Sequence, residues 1–143
     1  MAGGVIVRFL DGTEVIASSL AQRADNEGRR DFGLYLDTAW RPTWPAEVVE
    51  WPDFGLPVAT AGAMSQIRGA FTRAQAGERV EVGCRGGLGR TGTVLACMAV
   101  LSGVPGSEAV EWVRDHYDRH AVETAEQAQW VELFAESVEA DGA

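Results

Sequence analysis

The sequence contains no lysine. All twelve basic residues are arginine, against 21 acidic ones, and codon bias accounts for the missing lysines as readily as function does. Without a Gly-Lys-Ser/Thr run there is no Walker loop, which excludes a nucleotide triphosphatase of that kind. A net charge of −9 on 143 residues repels phosphate backbones and anionic lipid over the Debye length, so neither nucleic acid nor a membrane is an expected partner. No run approaches eighteen apolar residues, and Met1-Ala2-Gly3-Gly4 lacks the basic and apolar stretches of a signal peptide. The expected location is cytoplasmic. Cysteine is scarce: Cys84 and Cys97 make a poor disulfide framework and suit a reducing compartment. No tandem repeat or low-complexity linker interrupts the chain, and no Cys, His and carboxylate positions share metal-ligand spacing. Neither a metal nor a cofactor is expected, and the oligomeric state is not legible.

What is present is the composition of one globular domain, 46% hydrophobic and 23% charged, filling residues 1–143 with soft ends at 1–4 and 139–143. Val5 to Ser18 reads as a β-hairpin, alternating around Asp11-Gly12. Leu34-Tyr35-Leu36 and Val48-Val49-Glu50-Trp51 are further strands, and the polar stretch from Leu20 to Phe32 between them reads as a loop. Met64, Ile67, Phe71 and Ala74 recur at helical spacing, predicting a helix over 60–76 that Gly77 ends. Arg79-Val80-Glu81-Val82 alternates as a strand, and a helix follows over 91–102. Ser107 is placed to cap a third helix. Thr124 begins a fourth, with Gln127 where a capping box expects Glu or Gln. The order implies an α/β fold, a small, partly parallel central sheet flanked by helices.

Between strand and helix lies Val82-Gly83-Cys84-Arg85-Gly86-Gly87-Leu88-Gly89-Arg90-Thr91-Gly92. Glycines here let several backbone N–H groups turn inward together at a helix N-terminus, which makes a cradle for a tetrahedral dianion. Arg90, six residues after Cys84, adds a planar fork of donors able to hold two phosphate oxygens. Positive potential of this kind favours the thiolate of an enclosed cysteine. Packing is the alternative for a lone cysteine, and it is the expectation for Cys97 inside the apolar run 94–100.

These residues resemble the signature of the cysteine-based protein tyrosine phosphatases, His-Cys-x5-Arg-Ser/Thr-Gly, through Cys84, Arg90, Thr91 and Gly92. The resemblance implies a tyrosine-phosphatase-like fold, Cys84 as nucleophile, Arg85, Gly86, Gly87, Leu88, Gly89 and Arg90 around the phosphate, and the Thr91 hydroxyl assisting departure of the sulfur. Trp51-Pro52-Asp53-Phe54-Gly55-Leu56-Pro57 is similar to the mobile Trp-Pro-Asp loop of the same family, making Asp53 the acid that protonates the leaving oxygen. Asp37 stands as the substitute acid. Glu123-Thr124-Ala125-Glu126-Gln127 resembles the family's Gln-Thr-x-x-Gln element, which positions water in the second step. Here Glu123 departs from it, and surface exposure for Glu123 and helix capping for Gln127 stay open as alternatives. Gly83 stands where the family has a histidine that orders the loop; restoring histidine there is predicted to strengthen activation of Cys84. The resemblance spans roughly residues 47–130.

The short chain is closest to the compact dual-specificity type. With one basic side chain in the loop positions 85–89, a phosphorylated protein or peptide is the expected substrate. A small-molecule phosphatase for an inositol phosphate or nucleotide is one alternative, and a non-catalytic phosphate-binding module another. Trp40 and Trp44 either wall an aromatic pocket, with Arg41 beside them, or pack as core or lid. Arg23, Arg29 and Arg30 either flank the site or form a solvated loop, and His116 and His120 are expected to be exposed or simply packed.

Overall fold

Asp11-Gly12 makes the turn that its side chains favour. Asp11 Oδ1 accepts the Thr13 N–H at 3.0 Å and Gly12 takes a φ of 89°, so the chain reverses between β1 (Val5–Arg8) and β2 (Glu14–Ser19). The structure, a computed structural model, describes residues 4–142. Three more strands follow, β3 (Phe32–Tyr35), β4 (Ala46–Val48) and β5 (Val80–Cys84), with helices α1 (Thr60–Gln75), α2 (Gly89–Leu101), α3 (Ala109–His116) and α4 (Ala125–Gly142). The sheet order is β1-β2-β5-β3-β4. Only β1 runs antiparallel to its neighbour; β2, β5, β3 and β4 are mutually parallel. This is the small, partly parallel sheet that the sequence implies.

Side-chain alternation divides the sheet into two unlike faces. Val15, Ala17, Phe32, Leu34, Val80, Val82 and Cys84 join the hydrophobic core under the helices. Within it Ile67, Ala70, Phe71 and Ala74 of α1 are buried, and Phe71 meets Phe9 edge to face at 5.4 Å. Removing the Phe71 ring would cost about 3–5 kcal/mol. Gly77, at φ 98°, ends α1 as expected. Buried on every side, α2 packs on β5 and is enclosed by α1, α3 and α4.

The opposite face is open at its edges, where Ile6, Arg8, Glu14 and Val48 are exposed, but its middle is polar and closed. Glu81, which alternates with the core residues Val80 and Val82, is fully buried on this face. It accepts hydrogen bonds from Asn26 Nδ2 at 2.6 Å, Tyr35 OH at 2.6 Å and Arg30 Nη1 at 3.0 Å. Every donor comes from outside β5, so a charge that would be expensive alone is satisfied. Burial and the Glu81 carboxylate push the Tyr35 hydroxyl pKa up, which keeps it protonated and donating. Arg30 also lies 3.7 Å above the Trp44 ring. It therefore neither flanks the site nor sits in solvent, and the segment 20–31 is a structured cover that opens with a 3-10 turn at Leu20–Gln22.

Several boundaries move. The strand expected at 48–51 is Ala46–Val48, because its hydrogen bonds to β3 are made there and Trp51 belongs to the following loop. Ser107 caps nothing: it lies within a 3-10 turn, Gly106–Glu108, that leads into α3 without a side-chain cap. Among the described residues, no helix is long and apolar enough to cross a membrane, and no group of three or more His, Cys, Asp or Glu could hold a metal ion.

Candidate active site

Strand β5 is the middle strand of the sheet, and it delivers Cys84 to its C-terminal end, 2% exposed. Helix α2 begins at Gly89, two residues earlier than the sequence predicts, so its first turn is already part of the loop. No side chain caps that end, which leaves the amides of the first turn available to an anion. Gly87 takes a φ of 77°, and its N–H donates to Cys84 Sγ at 3.1 Å. A side chain at Gly87 would also meet the backbone of Ser18 and Ser19 at 3.1 Å. Gly86 has open space around it, so packing places no demand for glycine there.

The carbonyls of the loop are held from outside. Trp40 Nε1 donates to Cys84 O at 3.2 Å, Leu20 N–H to Arg85 O at 3.1 Å, and the Tyr117 hydroxyl to Gly87 O. Burial, then the neighbouring Cys84 and Asp118, push the Tyr117 pKa up, so the phenol remains a donor. In a trans peptide the C=O and the next N–H point in opposite directions. Fixing those three carbonyls outward therefore turns the N–H groups of Arg85, Gly86 and Leu88 the other way.

Arg90 is 2% exposed and closes the loop over. Its Nη1 donates to Leu36 O at 2.9 Å and Trp51 O at 2.7 Å, and its Nη2 to Asp37 Oδ2 at 3.0 Å. Arg90 Nε and Thr91 Oγ1 are buried without a partner. Buried orphans of this kind carry a desolvation penalty of roughly 1–3 kcal/mol each; Trp130 Nε1 in the core is another, but these two lie at the loop, where a bound anion would complete the hydrogen bonding of the guanidinium.

Asp53 lies in the loop after β4, its Oδ1 3.4 Å from Arg90 Nη2 and its side chain half exposed. The loop is folded on itself: Trp51 Nε1 donates to Gly55 O at 2.7 Å and Gly55 N–H to Pro52 O at 2.9 Å. Phe54 takes a φ of 60°, a strained value for an aromatic residue. Asp37, Thr38, Glu50, Trp51, Pro52, Asp53, Arg85 and Arg90 line one pocket of about 290 Å³. A larger groove of about 630 Å³ lies at the other end of β5, between the hairpin and the end of α1, far from Cys84.

Sequence reasoning gave Asp37 too small a part. Its burial pushes the carboxyl pKa up, but the Ala39 amide and the Arg90 and Arg85 guanidinium groups outweigh this and hold it below the usual carboxylate range. Its Oδ2 accepts from Arg90 Nη2 at 3.0 Å, so Asp37 orients the guanidinium. Its signal was its place, directly after the apolar run 34–36 at the C-terminal end of a parallel strand, where α/β sheets gather their ligands. Tyr117 has no comparable signal. Trp40 and Trp44 pack around Tyr35, at centroid distances of 4.0 and 5.9 Å, and line neither of these two cavities. His120 is exposed, and His116 stacks on Trp112 at 4.1 Å.

The Glu123 segment comes to the loop as well. A Cβ on Gly89 would overlap the Glu123 carboxylate, so that side chain lies against the first turn of α2. Val122 before it takes a φ of 63°, and Arg114 holds this backbone by donating to Ala121 O at 2.9 Å and Val122 O at 2.7 Å. Gln127 is fully buried. Its N–H donates to Thr124 Oγ1 at 3.0 Å, the cap expected at the start of α4, while its side chain bonds Glu123 and Gly55.

A family model described as "PTP-SAK: Swiss Army Knife protein, DSP-PTPase phosphatase domain" matches residues 56–140. It takes in Cys84, Arg90, Glu123 and Gln127 and begins just after Asp53. Two uncharacterized proteins of Methanocaldococcus jannaschii, MJECL20 and MJ0215, are 39% and 38% identical over 110 residues, covering 68% of this chain and 71% and 66% of theirs. Among solved structures, Tk-PTP in its active form is similar with a TM-score of 0.73 and 26% identity over 91% of this chain and 96% of that one. Kinase-associated phosphatase, carrying serine for its catalytic-site cysteine, matches with a TM-score of 0.78 and 16% identity over 98% of both chains. With the sheet order, the strand-loop-helix cradle and these similarities in hand, the chain belongs to the PTP-SAK family of dual-specificity-type phosphatase domains, within the cysteine-based tyrosine phosphatase superfamily.

Proposed function

We propose that the protein hydrolyses phosphomonoesters through a phosphocysteine intermediate, with phosphorylated protein or peptide as substrate. The reading rests on one observation above the others: the half-exposed carboxylate of Asp53 stands 3.4 Å from the buried guanidinium that closes the loop around Cys84. In the first step Cys84 Sγ attacks phosphorus, the P–S bond forms as the P–O bond breaks, and Asp53 gives its proton to the departing oxygen. Arg90 and the loop amides stabilise the charge on the transferring phosphoryl group. Water then attacks phosphorus and gives a proton to the Asp53 carboxylate as the P–S bond breaks and the thiolate leaves, with Glu123 orienting that water and Thr91 assisting the sulfur. The two cysteines are both free, which suits a reducing, cytoplasmic setting for such a thiol.

Three carboxylates, Asp37, Glu50 and Asp53, share the pocket with two arginines. That balance disfavours polyanionic inositol phosphates and lipid headgroups and supports the choice of a phosphoprotein. A similar fold was solved with a phosphoinositide bound, at 15% identity, so the comparison belongs in the test. The experiment is phosphate release from phosphopeptides, phosphoinositides, inositol phosphates and nucleotides, ranked by kcat/KM. Phosphopeptides are expected to lead, and no release from any of them would overturn the reading.

A further inference from the structure

Gly83 precedes the nucleophile, and the space its missing side chain leaves is filled from elsewhere. A Cβ built there would lie 2.6 Å from Cζ2 of Trp40 and 3.1 Å from its Cε2. Trp40 is 2% exposed, stacks on Tyr35 with an interplanar angle of 8°, and gives its indole N–H to Cys84 O. We propose that Trp40 is the positioning residue of the phosphate loop, standing in for the histidine of the signature that the loop resembles, and that Gly83 exists to make room for it. This rests on reading Cys84 as the nucleophile.

The placement of Trp40 is determined from three sides. The turn at Asp37 carries it, with Trp40 N–H donating to Asp37 O at 3.1 Å and Ala39 N–H to Asp37 Oδ1 at 2.8 Å. The other carboxylate oxygen of Asp37 holds Arg90, so one residue sets both the guanidinium clamp and the indole. Tyr35 beneath the indole is fixed in turn by Glu81 and by Trp44, whose Nε1 donates to the tyrosine oxygen at 2.8 Å. The indole N–H then fixes the Cys84–Arg85 peptide and turns the Arg85 N–H toward the anion. A histidine at 83 and a tryptophan at 40 exclude each other. The expectation that restoring histidine at 83 would help Cys84 is therefore replaced by its opposite, since the new side chain would displace the indole.

The test uses the full chain with Trp40→Phe, Gly83→Ala and the double variant. Cys84 alkylation by iodoacetamide is followed with and without inorganic phosphate, subtracting Cys97 by the same measurement in Cys84→Ser. Alongside it, kcat and KM are measured for the best phosphomonoester, and thermal midpoints for every variant. Trp40→Phe keeps a ring on Tyr35 and loses the N–H. It is expected to weaken protection by phosphate about tenfold and to lower kcat by about tenfold or more, with a smaller change in KM. Gly83→Ala is expected to do at least as much, and the double variant no more than Trp40→Phe alone, because the smaller ring gives the methyl room. Unchanged protection and kcat in Trp40→Phe would overturn the proposal. So would losses that simply multiply in the double variant. If Trp40→Phe does not fold, Gly83→Ala decides, since wild-type behaviour there would show that the indole is not fixed against residue 83. Phosphate protection in a wild-type protein that hydrolyses no phosphomonoester would sink the phosphatase reading, and the protection measurements on the variants would then decide the placing of the loop alone.

Discussion

Gln127 on α4 donates from Nε2 to the carbonyl of Gly55, 3.2 Å away in the loop that carries Asp53. Its Oε1 accepts the N–H of Glu123 at 2.8 Å, so one buried amide ties together the two segments that bring carboxylates to the loop. Phe54 and Val122, the two non-glycine residues at positive φ among those described, flank those carboxylates. Backbone held in such conformations has to be held by something, and Gln127 is common to both. Gln127→Ala is expected to lower stability by about 1–3 kcal/mol, from groups left unpaired in a buried place. Its kcat should fall most with poor leaving groups, as for loss of the acid. Thermal melting and a leaving-group series check both parts.

Cys84→Ser should reduce turnover to background while phosphate esters still bind, because a hydroxyl preserves the pocket but is not ionised near neutrality. Product formation and ligand binding, measured separately, read the two halves of that statement.

Arg90→Lys should lose about 10²-fold or more in kcat/KM, the scale on which an oriented donor to a developing oxyanion acts. A single ammonium cannot reach Leu36 O, Trp51 O and Asp37 together while offering two parallel donors to a phosphoryl group. The thermal midpoint should drop as well, since buried carbonyls lose their partner.

Asp53→Asn is expected to cost roughly 10²–10⁴ in rate with alkyl or aryl phosphates whose leaving oxygen needs a proton, and much less with a good leaving group. Equal losses in both classes would show that Asp53 acts through Arg90 or through the shape of the loop.

The depressed carboxyl of Asp37 gives a prediction in pH. A group whose folded pKa lies below its unfolded value of about 3.9 contributes stability that is complete above that value and is lost as the pH falls through the folded one. Asp37→Asn should therefore be less stable than the parent at neutral pH, and the gap should close on acidification below about pH 4. Melting temperature against pH measures it.

Glu123→Ala should leave the first step largely intact and slow the second. The signature is a burst of leaving group followed by a slower steady rate, and single-turnover kinetics with a chromogenic ester would reveal it.

The cradle was legible because its chemistry is local: cysteine, glycines, arginine and threonine lie within eight residues, and strand-turn-helix periodicity frames them. The loop of Asp53 and the start of α4 were legible as segments for the same reason. What holds the loop in shape was not. Leu20, Trp40 and Tyr117 reach the loop carbonyls from three separate segments, and no spacing within any one of them signals that contact. The surroundings of Glu81 were illegible for a related reason. Period-2 alternation locates a polar side chain on one face of a strand, but only the tertiary structure shows that Asn26, Arg30 and Tyr35 close that face. Gly83 is the sharpest case, a departure in the motif whose cause lies 43 positions upstream.

The parallel pairing of β5 carries a consequence for how this thiol comes into being. Its neighbours are β2 and β3, in registers such as Ile16 with Glu81 and Leu34 with Val82, so the middle strand has no local partner and must wait for distant chain. Contacts of such long sequence separation make folding slow and place it late. Until those strands close, Leu20, Trp40 and Asp37 are not beside Cys84, and the surroundings that would make the sulfur a nucleophile do not exist. Before the sheet closes, Cys84 lacks the neighbours on which the proposed chemistry depends.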